Sequence, residues 1–165
     1  MIVTAPNEYL CEIYQFQLNY LQYQSMNSSS KRTEYLCIAD PKGVRIGSGG
    51  GTLNALSKLV DRVGESEVLK SKVAIIHSGG DSRRSPLQSV VGKAWTQINS
   101  SLSGAADGSP STPLSLLIQE LEIVAESVSE GSLVIASSDV LVSLSSVIRP
   151  SWILLMSCRI DPSLK

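Results

Sequence analysis

The chain holds one histidine and one phenylalanine among its 165 residues, and only 18% of it is charged. Each shortage closes off a class of function. With a single imidazole, His77, a Ser-His-Asp hydrolase would have one base to draw on. That base lies five residues upstream of Ser82, the serine in the Gly80-Asp81-Ser82 triplet. The nucleophile-elbow pattern Gly-x-Ser-x-Gly would also need glycine where Arg84 stands. Cysteine is scarce and scattered. Cys11, Cys37 and Cys158 form no Cys-x-x-Cys pair, which argues against a disulfide framework or a zinc ribbon and fits reduced thiols in a cytoplasmic protein. Neither sign of charge is in excess, with 14 Lys and Arg against 15 Asp and Glu, so no nucleic-acid or membrane-surface partner is expected. No apolar run is long enough to span a bilayer, and the first residues lack the basic and apolar regions of a secretory signal.

What is present is a 42% hydrophobic chain, long enough for one domain with a real core. Ile2–Ala5 is short and β-prone, and Pro6-Asn7 ends it with Asn7 placed to cap a helix. Tyr9, Ile13, Phe16, Tyr20 and Tyr23 recur at helical spacing, with Leu10, Tyr14, Leu18 and Leu21 beside them, which predicts a helix with a wide apolar face. Tyr35–Ala39 reads as a buried strand closed by the turn Asp40-Pro41-Lys42-Gly43. The glycine run Gly47–Gly51 leads into a helical pattern at Leu53, Leu56, Val60 and Val63, with Gly64 as its C-cap. Lys72–His77 is a second buried strand, and 91–98 reads as a short strand. Asn99–Thr112 is a Ser/Gly/Pro loop. Thr112-Pro113 opens a helix whose face is Leu114, Leu117, Leu121, Val124 and Val128, ended by Gly131. Leu133–Ala136 is a further buried strand. Apolar strands between amphipathic helices predict an α/β fold: a Rossmann-like, mostly parallel sheet with helices on both faces. In such a sheet the strands' carboxyl ends share one edge, so the segment after His77 and Asp139 after the last strand should meet there.

Three motifs stand out, and the second and third are the ones expected on that edge. The block "RIGSGGGTLNAL" offers backbone amides at a helix start, where anions are favoured, although a plain turn capped by Ser48 or Thr52 reads equally well from the residues. The block "HSGGDSRRSPLQSVVGKAW" sets Gly79 and Gly80 after a strand, then Arg83, Arg84 and Lys93. Glycines let backbone N–H groups face a phosphate, arginine grips its oxygens bidentately, and lysine adds a mobile charge. It is not a Walker A loop, because Gly92-Lys93 is followed by Ala94. Asp139 is placed to hold a hard cation such as magnesium beside phosphates, or equally to cap a turn. Asp40 reads first as a turn residue, Trp95 as packing, and His77 as structural or at most a supporting donor.

The blocks "DPKGVRIGSGGGTLNAL", "IIHSGGDSRRSP…VGKAW" and "LVIASSDVLV", in that order, resemble the nucleotidyltransferase part of the L-fucokinase/GDP-L-fucose pyrophosphorylase family. The resemblance runs from about Ile2 to Leu141 and is carried mainly by the first two blocks. It implies union of GTP with L-fucose 1-phosphate to give GDP-L-fucose and pyrophosphate, with magnesium, in a protein that often carries a fucokinase as well. Under it Gly79 and Gly80 offer backbone to the triphosphate and Arg83 occupies a basic position beside it. Arg84 and Lys93 match the signature cations, Asp139 matches the metal-binding aspartate, and Gly47, Gly49 and Gly50 lie near the nucleotide. One departure is Ser138, where the family usually has glycine before the aspartate. The resemblance also implies a partial domain, 1–148 being nucleotidyltransferase-like and 149–165 a divergent tail. The alternative is a nucleotide-binding module, or a truncated fragment, without turnover.

Overall fold

A computed structural model describes residues 1–28, 33–78, 92–98 and 111–140. Four strands, β1 (Ile2–Ala5), β2 (Leu36–Ala39), β3 (Val73–His77) and β4 (Leu133–Ser137), form one sheet in the order β2-β1-β3-β4. Every pairing is parallel: Val3 lies opposite Cys37 and Ile76, and Ile75 lies opposite Ile135. The helices are α1 (Glu8–Ser28), α2 (Gly47–Val63), α3 (Glu65–Lys70) and α4 (Pro113–Ser127).

The strands are apolar at consecutive positions because helices cover both faces. On one face Val3, Ala5 and Ile76 pack with Tyr14 and Leu18 of α1 and with Leu114, Leu117, Ile118 and Leu121 of α4. On the other, Ile2, Val73 and Ile75 pack with Ala55 of α2, with Leu56, Leu59 and Val68 around them. Local signals set the helix ends. Asn7 Oδ1 accepts the Leu10 N–H at 2.9 Å, and Gly64, at φ 87°, closes α2 with its N–H on Val60 O. Thr112 Oγ1 accepts the Ser115 N–H while Ser115 Oγ accepts the Thr112 N–H, a reciprocal cap ahead of Pro113.

Three expectations change. The row Tyr9, Phe16, Tyr20 and Tyr23 of α1 faces outward, Phe16 at 78% exposure, and the packed row is Leu10, Tyr14, Leu18 and Leu21. Both rows have helical spacing, and the sheet lies on one side only. The strand expected at 91–98 is a 3₁₀ turn over Lys93–Trp95, entered through Gly92 at φ 78°, and Ile98 makes a single antiparallel bridge to Ser111. Strand β4 is half-buried on the α4 face, through Val134 and Ala136, with Leu133 41% and Ile135 49% exposed on the other, because α2 and α3 pack over β1 and β3 and β4 is an edge among the described residues. The short helix α3 was not foreseen.

The opposite edge is closed. Along β2 the Cys37 N–H donates to Gln15 Oε1 at 2.7 Å, Gln15 Nε2 donates to Tyr35 O at 3.2 Å, and the Tyr35 N–H reaches Gln22 Oε1 at 3.4 Å. At the far end Asn54 Nδ2 donates to Ala39 O at 3.0 Å. Gln15 and Gln22 lie seven residues apart, about two helical turns, so both fall on the side of α1 that faces the β2 edge.

Candidate functional site

The strand order places the topological switch point between β1 and β3: the chain leaves β1 toward β2 and returns past it to β3. Ligands in open α/β sheets bind in the crevice outside the carboxyl ends at that point. A cavity of about 280 Å³ lies there. Thr4 to Pro6 at the end of β1 and His77 with Ser78 at the end of β3 form its floor. Asp40 and Arg45 from the β2–α2 connection, Gly47, Ser48 and Gly51 from the start of α2, and Ser137 from β4 complete the lining. A larger cavity of about 700 Å³, at the amino end of β2, is lined by Gln15, Asn19, Gln22, Glu34 and Arg62. Gln15 and Gln22 are held on the β2 edge and Glu34 pairs with Arg62, so this second cavity brings no reactive constellation.

The glycine run is not a loop ahead of the helix but its first turn, since α2 begins at Gly47. Gly47 sits at φ 71°, a conformation that suits glycine, and lines the cavity. Gly49 faces open space. Gly50 lies under the Ile46 side chain, with which a Cβ would collide at 2.9 Å, so packing alone already asks for glycine here. Gly51, not singled out from sequence, is buried, and a Cβ there would stand 3.4 Å from the His77 ring and 4.0 Å from Asp40 Oδ1. The first N–H groups of α2 have no partners within the helix, and the N-cap residue, Ile46, provides no side-chain cap. They make the start of α2 receptive to an anion.

Asp139 lies in the turn after β4 with its side chain exposed, and its Oδ1 accepts from Ser137 Oγ at 2.5 Å. Because β3 and β4 are parallel, Asp139 and the segment leaving His77 reach the same edge, as expected. Ser138 is fully buried and its N–H donates to His77 O at 2.9 Å, so this serine is part of the join between the two strand ends. Among the described residues no group of three or more His, Cys, Asp and Glu side chains is placed to hold a metal ion. Lys93 opens the 3₁₀ turn and is not among the described residues lining the cavity. Tyr14 joins that turn to the edge: its ring packs on Trp95 with centroids 5.4 Å apart, and its hydroxyl bonds Ser78 and lies against Gly92. Gly79, Gly80, Arg83 and Arg84 lie outside the described residues.

One group of the site escaped sequence reasoning, and a second was read only as structural or a supporting donor. Arg45 adds a cation to the cavity wall, and its only signal was its place two residues before Gly47. His77 lies between Thr4 Oγ1, 3.4 Å from Nδ1, and Thr52 Oγ1, 2.9 Å from Nε2. Burial lowers the His77 pKa below its ordinary 6.5, against the opposing pull of Asp40. In acid the unfolded chain therefore takes up this proton first. Stability declines as the pH falls from 6.5 toward the lower folded value. Urea unfolding at neutral and mildly acidic pH should show that loss, and His77→Gln should remove this part of the pH dependence.

Fold and edge together define a class: a doubly wound α/β protein whose ligand-receptive crevice is built from strand ends and a glycine-rich helix start. The chain belongs to the fucose pyrophosphorylase family, whose profile, described as the fucose pyrophosphorylase domain, matches residues 65–156. It is 30% identical over 165 aligned residues to the bifunctional fucokinase/GDP-fucose pyrophosphorylase of Arabidopsis thaliana, covering 86% of this chain and 15% of the plant protein. It is 42% identical over 65 residues to the fucose-1-phosphate guanylyltransferase of Mus musculus, covering 39% of this chain and 11% of the mouse protein. It is also 35% identical over 72 residues to the L-fucokinase/L-fucose-1-P guanylyltransferase of Bacteroides fragilis, covering 41% of this chain and 8% of the bacterial protein. The chain thus spans a small part of the length of these relatives. No solved structure matches it significantly.

Proposed function

We propose that this chain is the nucleotide-binding portion of a fucose-1-phosphate guanylyltransferase, joining GTP and L-fucose 1-phosphate into GDP-L-fucose and pyrophosphate. The observation that carries the reading is the cavity at the switch point, bounded by the amide-bearing start of α2, Arg45 and the strand ends from which the glycine–arginine segment and Asp139 emerge. In the reaction a phosphate oxygen of the sugar attacks the α-phosphorus of GTP in line, the bond to the β-phosphate oxygen breaks, and pyrophosphate leaves with that electron pair. The protein's part is positioning and charge neutralisation. Gly47, Gly49, Gly50, Gly79 and Gly80 offer backbone near the nucleotide. Arg83 and Arg84 hold triphosphate oxygens, and Lys93 offsets the charge that develops on the departing pyrophosphate. The exposed carboxylate of Asp139, steadied by Ser137, would be a protein ligand for a magnesium ion, a hard cation that takes oxygen ligands. That ion would supply further charge neutralisation.

Pyrophosphate release by the full chain with GTP, L-fucose 1-phosphate and magnesium is the direct test. Lys93→Ala and Asp139→Asn should each slow release about tenfold or more, the worth of one charge-assisted contact, with folding intact. Full activity in both variants would overturn the site assignment. A second reading is a module that binds nucleotide without turnover. Calorimetric binding of GTP without pyrophosphate release would support that reading, and absence of binding would reject both.

A further inference from the structure

We propose that His77 is a positioning residue which, as the neutral ring protonated on Nε2, locks the glycine-rich start of α2 to the segment leaving β3. The lock is a single directed chain of hydrogen bonds, and its direction follows from groups that can act in one way only. At one end Ser48 O is a carbonyl and can only accept, and it accepts from Thr52 Oγ1 at 3.0 Å. That uses the one hydroxyl proton of Thr52. Toward His77 Nε2, 2.9 Å away, Thr52 Oγ1 is therefore an acceptor, and Nε2 must carry the proton. At the other end the Ser78 N–H can only donate, and it donates to Thr4 Oγ1 at 3.3 Å. The Thr4 hydroxyl proton is then free for His77 Nδ1 at 3.4 Å, which in the Nε2–H tautomer presents a lone pair. Every donor points from Ser78 toward Ser48, and bonds aligned head to tail polarise one another favourably.

The chain passes from the β3 exit through β1 and β3 into α2, joining residues far apart in sequence. An imidazolium has two donors and no acceptor, so charging the ring would reverse the bond at Thr4, whose hydroxyl would turn from donor to acceptor, and end the head-to-tail alignment. Gly51 is buried against the same ring, which lets α2 approach closely enough for Thr52 to reach it. Both ends of the chain lie in the wall of the switch-point cavity. The lock itself stands on these bonds alone; its use in holding the two phosphate-facing segments at a working distance rests on the proposed function.

The test exploits the scarcity of histidine. Long-range proton–nitrogen spectra of the full, 15N-labelled chain, prepared without a polyhistidine tag, report one imidazole. The expected ring has a pyrrole-like Nε2 and a pyridine-like Nδ1. Thr52→Val should release the fixed tautomer and, through the ring, shift the Ser78 amide resonance and speed its hydrogen exchange. Thr52→Ser should restore both. Thr4→Val cuts the chain at its other side and should also disturb the Ser78 amide, which guards against a Thr52 variant that does not fold. A ring protonated on Nδ1, or a Ser78 amide that stays in place in folded Thr52→Val protein, would falsify the lock. In the binding arm, GTP affinity should fall about fivefold in Thr52→Val, the worth of one hydrogen bond, and recover in Thr52→Ser. Unchanged affinity in Thr52→Val, where the wild type binds GTP, overturns the positioning role. A wild-type chain with the expected tautomer and Ser78 response but no affinity for GTP supports the lock and counts against the proposed function instead.

Discussion

Replacing Ile75 by alanine is expected to lower the unfolding free energy by about 2–5 kcal/mol, the range for truncating a fully buried isoleucine. Ile75 is 0% exposed and sits at the centre of β3, between Ile2 of β1 and Ile135 of β4. On that face it packs with Ile2, Ala55 and Val73. Strands on both sides and α2 above limit how far the surroundings can collapse into the space, which favours the upper half of the range. The effect should also reach the site, because Ala55 lies one turn beyond Gly51 in α2. Chemical denaturation at fixed pH would give the loss, and a change below about 1 kcal/mol would mean that α2 closes over the gap.

The second large effect is expected at Gly92, where the cost comes from backbone conformation as well as packing. Its φ of 78° is one that residues with a Cβ adopt only at a cost of about 1–3 kcal/mol. A Cβ there would also stand 2.7 Å from the Tyr14 hydroxyl. Tyr14 has little room to yield: it is 3% exposed, and its ring packs on Trp95. Gly92→Ala should therefore destabilise the fold by more than the backbone cost alone and displace the turn that begins at Lys93. Near-ultraviolet circular dichroism from the Tyr14–Trp95 contact, followed beside thermal melting, checks both parts. An unchanged aromatic signal with an unchanged melting temperature would show that the turn adapts freely.

The sequence carried local information well. Asn7, Gly64 and the Thr112-Pro113 pair mark helix ends because each meets its partner within a few residues, so the signal and the structure occupy the same short window. The parallel sheet was legible for a related reason, as strands covered on both faces lose their alternation. What could not be read depends on where an element sits in the whole. Tyr9, Phe16 and Tyr20 are as regularly spaced as Tyr14, Leu18 and Leu21, and only the position of the sheet decides which row is covered. Leu133 and Ile135 look like core, yet among the described residues β4 is an edge. That Asp139 and the exit of β3 share one sheet edge was legible because both follow strands. The His77 lock was not, since Thr4 and His77 are 73 positions apart and Thr52 and His77 are 25 apart. Gly50 was read as a binding glycine, and the structure gives it a packing reason in Ile46.

The row of amides along β2 decides in which direction this sheet can be lengthened. Gln15, Gln22 and Asn54 occupy the outward N–H and C=O groups of β2, so a newcomer there would have to displace side chains already bonded to the backbone. On the other flank, β4 has a strand partner on one side only among the described residues, and one of its faces carries half-exposed Leu133 and Ile135. The sheet is a ledge with one closed side. Anything that adds a strand to it, whether more of the same polypeptide or another molecule, is steered to the β4 side, nearest to Asp139.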